Sequence, residues 1–102
     1  MDAKNLFTAS GQCIHGPLLI TSNIFRDDRG FFLESWNQKN FDNLVGDRIN
    51  FIQDNHSCSV KGVLRGMHFQ CAPHAQGKLI RCVSGEIYDV GIDLRKDSPS
   101  FG

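Results

Sequence analysis

The feature that most constrains the fold is a series of short apolar segments separated by glycine or proline. In the second half of the chain these segments fall at residues 50–60, 62–70, 78–85 and 86–94. The turn-forming residues that punctuate them are Gly62, Pro73, Gly77 and Gly85. Short strands bounded by turn signals at intervals of about eight to twelve residues are typical of β-sandwiches and β-barrels. The spacing therefore predicts an all-β fold.

The first half of the chain adds strand signals and one helix signal. Apolar stretches at residues 17–21 and 23–25 precede a turn-like RDDRG segment, and FFLESWN follows at residues 31–37. The next segment, residues 38–45, has its apolar side chains at helical spacing, and Asn37 stands before it as a possible N-cap. We expect one short helix there, inside an otherwise β-rich chain.

Composition excludes several classes of function. The chain has 102 residues, of which 40% are apolar and 22% charged, as in ordinary soluble domains. Eleven basic and eleven acidic residues give a net charge of zero, so no overall field favours nucleic acid or a membrane surface. The N-terminal MDAKNLFTAS lacks a signal-peptide pattern, and the four cysteines lack metal-binding spacing. We expect one small cytoplasmic domain, or part of one, with reduced cysteines, in which a few local cations hold any anionic ligand.

Two pairs of polar residues stand out in the predicted strands. Gln53 and Asn55 lie two apart, so a strand would project both amides from one face, where they could grip a polar ligand or simply face solvent. Arg65 and His68 lie three residues apart, so a regular strand would point them to opposite faces. Gly66 lies between them, however, and could form a bulge. A bulge would bring both side chains to one face. A hydrogen-bonded packing role for His68 remains the alternative.

Further charged residues accompany aromatic or apolar neighbours. Lys78 alternates with apolar residues of the predicted strand, so it would lie on their apolar face. Because burial of a lysine there is costly, it either meets an anion or reaches solvent from the start of the strand. Arg26 and Arg29 lie near two phenylalanines and Glu34, a set that suits a phosphate, a flat base and a hydroxyl or imide donor. The same set also fits a charged turn before a core strand. The histidines lack the close pairing of a transition-metal site, so we expect no metal.

Three segments taken in order resemble one enzyme family. They are DDRGFFLESWN, FIQDNHSCSVKGVLRGMHFQ and PHAQGKLIRCVSGEIYDVGIDLRKDSPSFG. Together they are similar to the N-terminal part of dTDP-4-dehydrorhamnose 3,5-epimerases, nearly continuously over residues 17–102. The resemblance implies a cupin-type jelly roll, of which residues 1–102 would be the N-terminal portion of a single, truncated domain.

The resemblance also implies roles for individual residues. His68 matches the proton acceptor, and Lys78 and Arg65 match active-site cations. Substrate-binding positions of the family match Arg29, Glu34, Gln53, Asp54, Asn55, Arg65 and Lys78. The implied substrate is dTDP-4-dehydro-6-deoxy-glucose, inverted at C3 and C5 without a metal or redox cofactor. A homodimer is implied as well, since Arg29 and Glu34 match positions that the family can use across its dimer interface.

One part of the family's machinery is not matched. The family uses a tyrosine as the acid on the opposite sugar face, and the only tyrosine here, Tyr88, matches a strand position instead. We therefore expect the chain to hold the base side of the pocket and to lack the full epimerase activity. The alternative is a catalytically inactive fragment that binds a dTDP-sugar or dimerises.

Overall fold

The structure is a computed structural model that describes residues 1–102. Its regular elements are strands β1 (Asp2–Phe7), β2 (Cys13–Thr21), β3 (Ile24–Asp27) and β4 (Gly30–Leu33), followed by helix α1 (Gln38–Val45). The chain divides into two compact units, one formed by Met1–Phe51 with Gly91–Gly102 and the other by Ile52–Val90. Strands with one short helix confirm the predicted all-β class.

Strands β1 and β2 form an antiparallel pair. Their register runs from Asp2 opposite Thr21 to Phe7 opposite Cys13, with a shift between Asn5 and Leu6. The connecting loop is closed by the Thr8 side chain, whose Oγ1 accepts a hydrogen bond from the Gln12 N–H at 3.0 Å. Strand β2 contains the predicted apolar segment 17–21, whereas β1 was not predicted, because its polar composition carries no strand period.

Strands β3 and β4 form a tight hairpin around the predicted turn. Asp27 pairs with Gly30, so Asp28 and Arg29 alone make the loop. Gly30 has a φ of 130°, a conformation that favours glycine. Strand β4 ends at Leu33, before the end of the predicted segment 31–37, because the following residues lead into the cap of α1.

Helix α1 confirms the predicted helix with the predicted cap. The Asn37 side chain accepts a hydrogen bond from the Asn40 N–H at 3.1 Å, which satisfies a donor that the first turn leaves without an intrahelical partner. Gly46 ends the helix in the left-handed conformation, with φ 74°, and its N–H donates to the Asp42 carbonyl.

An aromatic cluster anchors α1 to its flanking segments. Phe41 is the one buried apolar residue of the structure, at 5% exposure. Its ring centroid lies 4.9 Å from that of Trp36 and 5.6 Å from that of Phe51, and the latter two are 5.6 Å apart. Tilted and edge-on rings at these separations are the favoured aromatic geometries. The three rings therefore form the small core of the first unit.

A second ordered feature of this unit surrounds Asp93, whose side chain is 3% exposed. Its carboxylate accepts hydrogen bonds from the Arg95 side chain and from the hydroxyls of Ser98 and Ser100. These bonds, led by those from Arg95, hold the pKa of Asp93 well below its ordinary value. Asp93 thus fixes the course of residues 93–102.

The second unit, Ile52–Val90, differs from the prediction. Its residues are all exposed and form no strand, and its backbone hydrogen bonds close turns, as from the Val63 N–H to the Val60 carbonyl at 3.3 Å. The predicted strands at 50–60, 62–70, 78–85 and 86–94 are therefore wrong for this structure. A strand needs a hydrogen-bonded neighbour and a surface on which to bury its apolar face. Neither is present here: Leu64, for example, is 90% exposed.

Gly66 shows an irregular backbone without the predicted bulge. Its φ is 141°, a conformation that favours glycine. However, residues 62–70 form no strand that a bulge could interrupt.

Candidate functional site

In the loop between β3 and β4, Arg29 is hydrogen-bonded to the Asp27 carboxylate. The Arg29 Nη2 donates to Asp27 Oδ2 at 2.6 Å and its Nε to the same oxygen at 3.1 Å, while the Arg29 backbone N–H donates to Oδ1 at 2.9 Å. These bonds lower the pKa of Asp27, chiefly through the Arg29 side chain. Asp27 occupies one edge of the guanidinium, so the Nη1 group is left to meet an anion.

A shallow cleft of about 420 Å³ lies on the same hairpin. It is lined by Phe25, Arg26, Asp27, Arg29, Phe31 and Phe32. The Arg26 guanidinium carbon lies 5.6 Å from the centroid of the Phe31 ring, within the range of a cation–π interaction. Two guanidinium groups beside exposed aromatic faces can bind a phosphate and stack on a flat base at the same time.

Glu34 directly follows β4, and both of its carboxylate oxygens are hydrogen-bonded. The Asn37 Nδ2 donates to Oε2 and the Asn40 Nδ2 donates to Oε1, each at 3.0 Å. The carboxylate is thereby fixed beside the first turn of α1. These two amides were not recognised as partners of Glu34 from the sequence, although their spacing of three residues, E-x-x-N-x-x-N, is visible there.

Residues 53–55 of the second unit place two candidate amides together. The Gln53 Nε2 donates to the Asn55 Oδ1 at 3.3 Å, so the two side chains are adjacent, although residues 50–60 do not form the strand from which this was predicted. Asp54 lies between them and is exposed. The contact leaves the Gln53 carbonyl oxygen and the Asn55 amide nitrogen for other polar partners.

The Arg65 side chain is hydrogen-bonded to two residues that precede a turn at residues 60–63. Its Nε donates to Ser59 Oγ at 2.9 Å and its Nη2 to the Cys58 carbonyl at 3.4 Å. The turn joins Val60 to Val63, and Gly62 occupies its third position with φ 86°, which is typical of a type II turn. Ser59 is another partner that sequence reasoning missed.

His68 and Lys78 are exposed, and no hydrogen bond joins them to Arg65 or to each other. Arg29 and Glu34 belong to the first compact unit, and the other six candidate residues belong to the second. The structure therefore brings together Gln53 with Asn55 and fixes Arg29, Glu34 and Arg65 by local partners.

Two further observations bear on the kind of site. No group of three or more histidine, cysteine, aspartate or glutamate side chains is arranged to hold a metal ion. Helix α1, with eight residues, is too short to cross a membrane. The strands and one short helix define an all-β protein whose first unit offers an aromatic cleft lined by two arginines.

Comparison with known proteins identifies the family. The model of the family described as dTDP-4-dehydrorhamnose 3,5-epimerase matches residues 12–102. Among relatives of that name, the protein from Shigella flexneri is 59% identical over 85 residues, which cover 83% of this chain and 47% of the relative. The protein from Pseudomonas aeruginosa is 53% identical over 94 residues, covering 92% of this chain and 51% of the relative.

The chain therefore belongs to the dTDP-4-dehydrorhamnose 3,5-epimerase family. A more distant relative of the same name, from Methanothermobacter thermautotrophicus, is 46% identical over 89 residues. The chain spans about half the length of the curated relatives it matches. No solved structure gives a significant match to it.

Proposed function

We propose that residues 1–102 supply the base side and the nucleotide-binding residues of a dTDP-4-dehydrorhamnose 3,5-epimerase. The observation that carries this proposal is the extent of the family match, because residues 12–102 include all eight candidate site residues. The substrate is dTDP-4-dehydro-6-deoxy-glucose. Its diphosphate and thymine suit the arginines and aromatic rings of the β3–β4 cleft, with Glu34 accepting a hydrogen bond from the nucleotide.

The reaction begins with removal of a proton next to the C4 ketone. Protons at C3 and C5 of the sugar are acidic only because they flank this carbonyl, so their abstraction gives an enolate. His68 is the base, since an imidazole accepts a proton near neutral pH. Lys78 faces the C4 oxygen and stabilises the negative charge that develops there, with Arg65 as a second cation. The amides of Gln53 and Asn55 and the carboxylate of Asp54 hold the sugar.

Inversion needs a second proton donor on the opposite face of the sugar. Residues 1–102 offer a base but no tyrosine at the matching acid position, so this part alone should deprotonate without inverting. We infer that residues 52–90 become strands of a cupin-type jelly roll when further strands pair with them, because exposed apolar side chains such as Leu64 then find a core. The proposal includes a homodimer in the cytoplasm.

Deuterium exchange tests the proposal. In D₂O the chain should introduce deuterium at C3 of dTDP-4-dehydro-6-deoxy-glucose without forming the L-lyxo product. The variant His68→Ala should lower the exchange rate by about 10²- to 10⁴-fold, the usual contribution of a general base. His74→Ala is the matched control, because His74 is another exposed histidine of the same unit and has no assigned role. Turnover to the L-lyxo product would contradict the expectation that the opposing acid is needed.

A second function has one observation in its favour. His68 and Lys78 are exposed, and no hydrogen bond orients either of them toward the other candidate residues of their unit. A chain in that state would bind a dTDP-sugar through Arg29 and Glu34 without catalysis. Affinity for dTDP in the absence of any exchange at C3 would favour this binding module over the epimerase.

A further inference from the structure

Glu34 is a candidate side chain of the first unit with both of its polar atoms hydrogen-bonded. Each of its carboxylate oxygens accepts one amide N–H, from Asn37 at 3.0 Å and from Asn40 at 3.0 Å. Asn37 and Asn40 lie three residues apart at the start of α1, so both reach the same side of the first turn. The carboxylate is thus held at two points by one helix terminus.

The orientation of the Asn37 amide is set by the helix itself. Its Oδ1 caps α1 by accepting from the Asn40 N–H at 3.1 Å, which turns its Nδ2 toward Glu34. The reversed amide would place its NH₂ group against the Asn40 N–H and its oxygen against the carboxylate. Both contacts would be repulsive, so the helix cap and the contact to Glu34 require the same orientation.

The two amides leave the carboxylate able to bind a ligand. A carboxylate can accept about four hydrogen bonds, and Asn37 and Asn40 use two of these positions. The remaining lone pairs can accept from a hydroxyl or an imide N–H. Fixing a long side chain during binding reduces affinity by roughly 2- to 10-fold, and a side chain fixed beforehand avoids that loss.

We propose that Asn37 and Asn40 are positioning residues that hold the Glu34 carboxylate ready for the nucleotide. This inference rests on the proposed function, in which Glu34 contacts the nucleotide of the dTDP-sugar. It adds two residues that touch no ligand and act through Glu34. It also gives α1 a role in the site, because the same amide caps the helix and orients the carboxylate.

Substitutions can separate this role from a purely structural one. Asn40→Ala removes one donor to Glu34, while alanine favours the helix. Asn37→Ser removes the other donor and retains a good N-cap. Each variant should raise the dissociation constant for dTDP by roughly 2- to 10-fold, measured by calorimetry, with the helical circular dichroism unchanged. Lys39→Ala is the control, since Lys39 is exposed in the same turn and has no bond to Glu34.

A third variant should change the stability of α1 and the affinity for dTDP in opposite directions. Asn40→Asp keeps the shape of the side chain but places a negative charge against Glu34. An acidic residue in the first turn stabilises a helix, whereas repulsion between two carboxylates displaces Glu34. We therefore expect a more stable α1 and a larger loss of dTDP affinity than in Asn40→Ala. A structural role alone would predict that affinity follows helix stability.

Hydrogen exchange of the side-chain amides tests the contact without any ligand. In the free chain the Asn37 and Asn40 NH₂ groups should exchange more slowly than that of Asn5, which makes no such bond, and Glu34→Ala should remove the difference. Unprotected amides would overturn the inference. Unchanged dTDP affinity in Asn40→Ala and Asn37→Ser, or an equal loss in Lys39→Ala, would overturn the positioning role while the proposed function stands. Protected amides in a chain that does not bind dTDP would refute the proposed function and the positioning role with it.

Discussion

Replacement of Phe41 by alanine should strongly destabilise the first unit. Phe41 is 5% exposed, and burial of a phenylalanine side chain contributes about 1.5–3 kcal/mol. Its two ring contacts, to Trp36 and to Phe51, add about 0.5–1.5 kcal/mol each. Trp36 is itself 41% exposed, so the space left by the ring can partly collapse or fill with water. We expect Phe41→Ala to lower the free energy of unfolding by about 3 kcal/mol, the low end of the usual range for such changes.

Urea denaturation followed by fluorescence measures this effect. Trp36 is the only tryptophan of the chain, and it lies in contact with Phe41, so its emission reports the integrity of the cluster directly. Phe7→Ala is the matched control, because Phe7 is 61% exposed and its loss should cost less than about 1 kcal/mol. Equal effects of the two substitutions, or a loss below about 1 kcal/mol for Phe41→Ala, would refute the assignment of the three rings as the core.

Three further predictions concern the first unit. The pKa of Asp93 is lowered in the folded chain, so its carboxylate stabilises the first unit above the ordinary carboxyl pKa of about 3.9, and this stabilisation is lost as the pH falls below that value. Asp93→Asn should therefore lower the urea midpoint at pH 7 and make the midpoint depend less on pH under acid conditions. The control Asp89→Asn should have neither effect. Gly46→Ala should reduce helix stability by about 1–2 kcal/mol in thermal circular dichroism, because Gly46 has φ 74°; an unchanged melting curve would contradict this reason. Arg29→Ala should weaken dTDP binding about 10- to 100-fold in calorimetry, the contribution of a charge-assisted hydrogen bond, while Arg48→Ala should leave it unchanged.

The elements of the first unit were predicted where local sequence determines structure. The helix at residues 38–45 follows from its cap and its apolar spacing, and the hairpin follows from the RDDRG turn, since neither needs a distant partner. Strand β1 was missed because its pairing with β2, and not its own composition, makes it a strand. The bond from Asn40 to Glu34 was missed because it depends on the angle at which the chain enters α1.

The second unit shows the limit of reading strands from apolar alternation. Residues 62–70 carry a strand pattern, yet the pattern specifies only which face would be buried, not what would cover it. In the absence of a neighbouring ladder the segment keeps local features, such as the turn at Gly62 and the bond from Arg65 to Ser59. The cupin-type jelly roll and the joint use of Arg65, His68 and Lys78 therefore stay predictions.

The central claim, that His68 removes a proton from the substrate, is tested most directly by chemical rescue. The rate of deuterium incorporation at C3 of dTDP-4-dehydro-6-deoxy-glucose is measured for the chain and for His68→Ala, with and without added imidazole. We predict that exchange falls by about 10²- to 10⁴-fold in the variant and recovers in proportion to the imidazole concentration, because the free base occupies the place of the missing ring. Exchange that persists in His68→Ala without imidazole would contradict the assignment of His68 as the base.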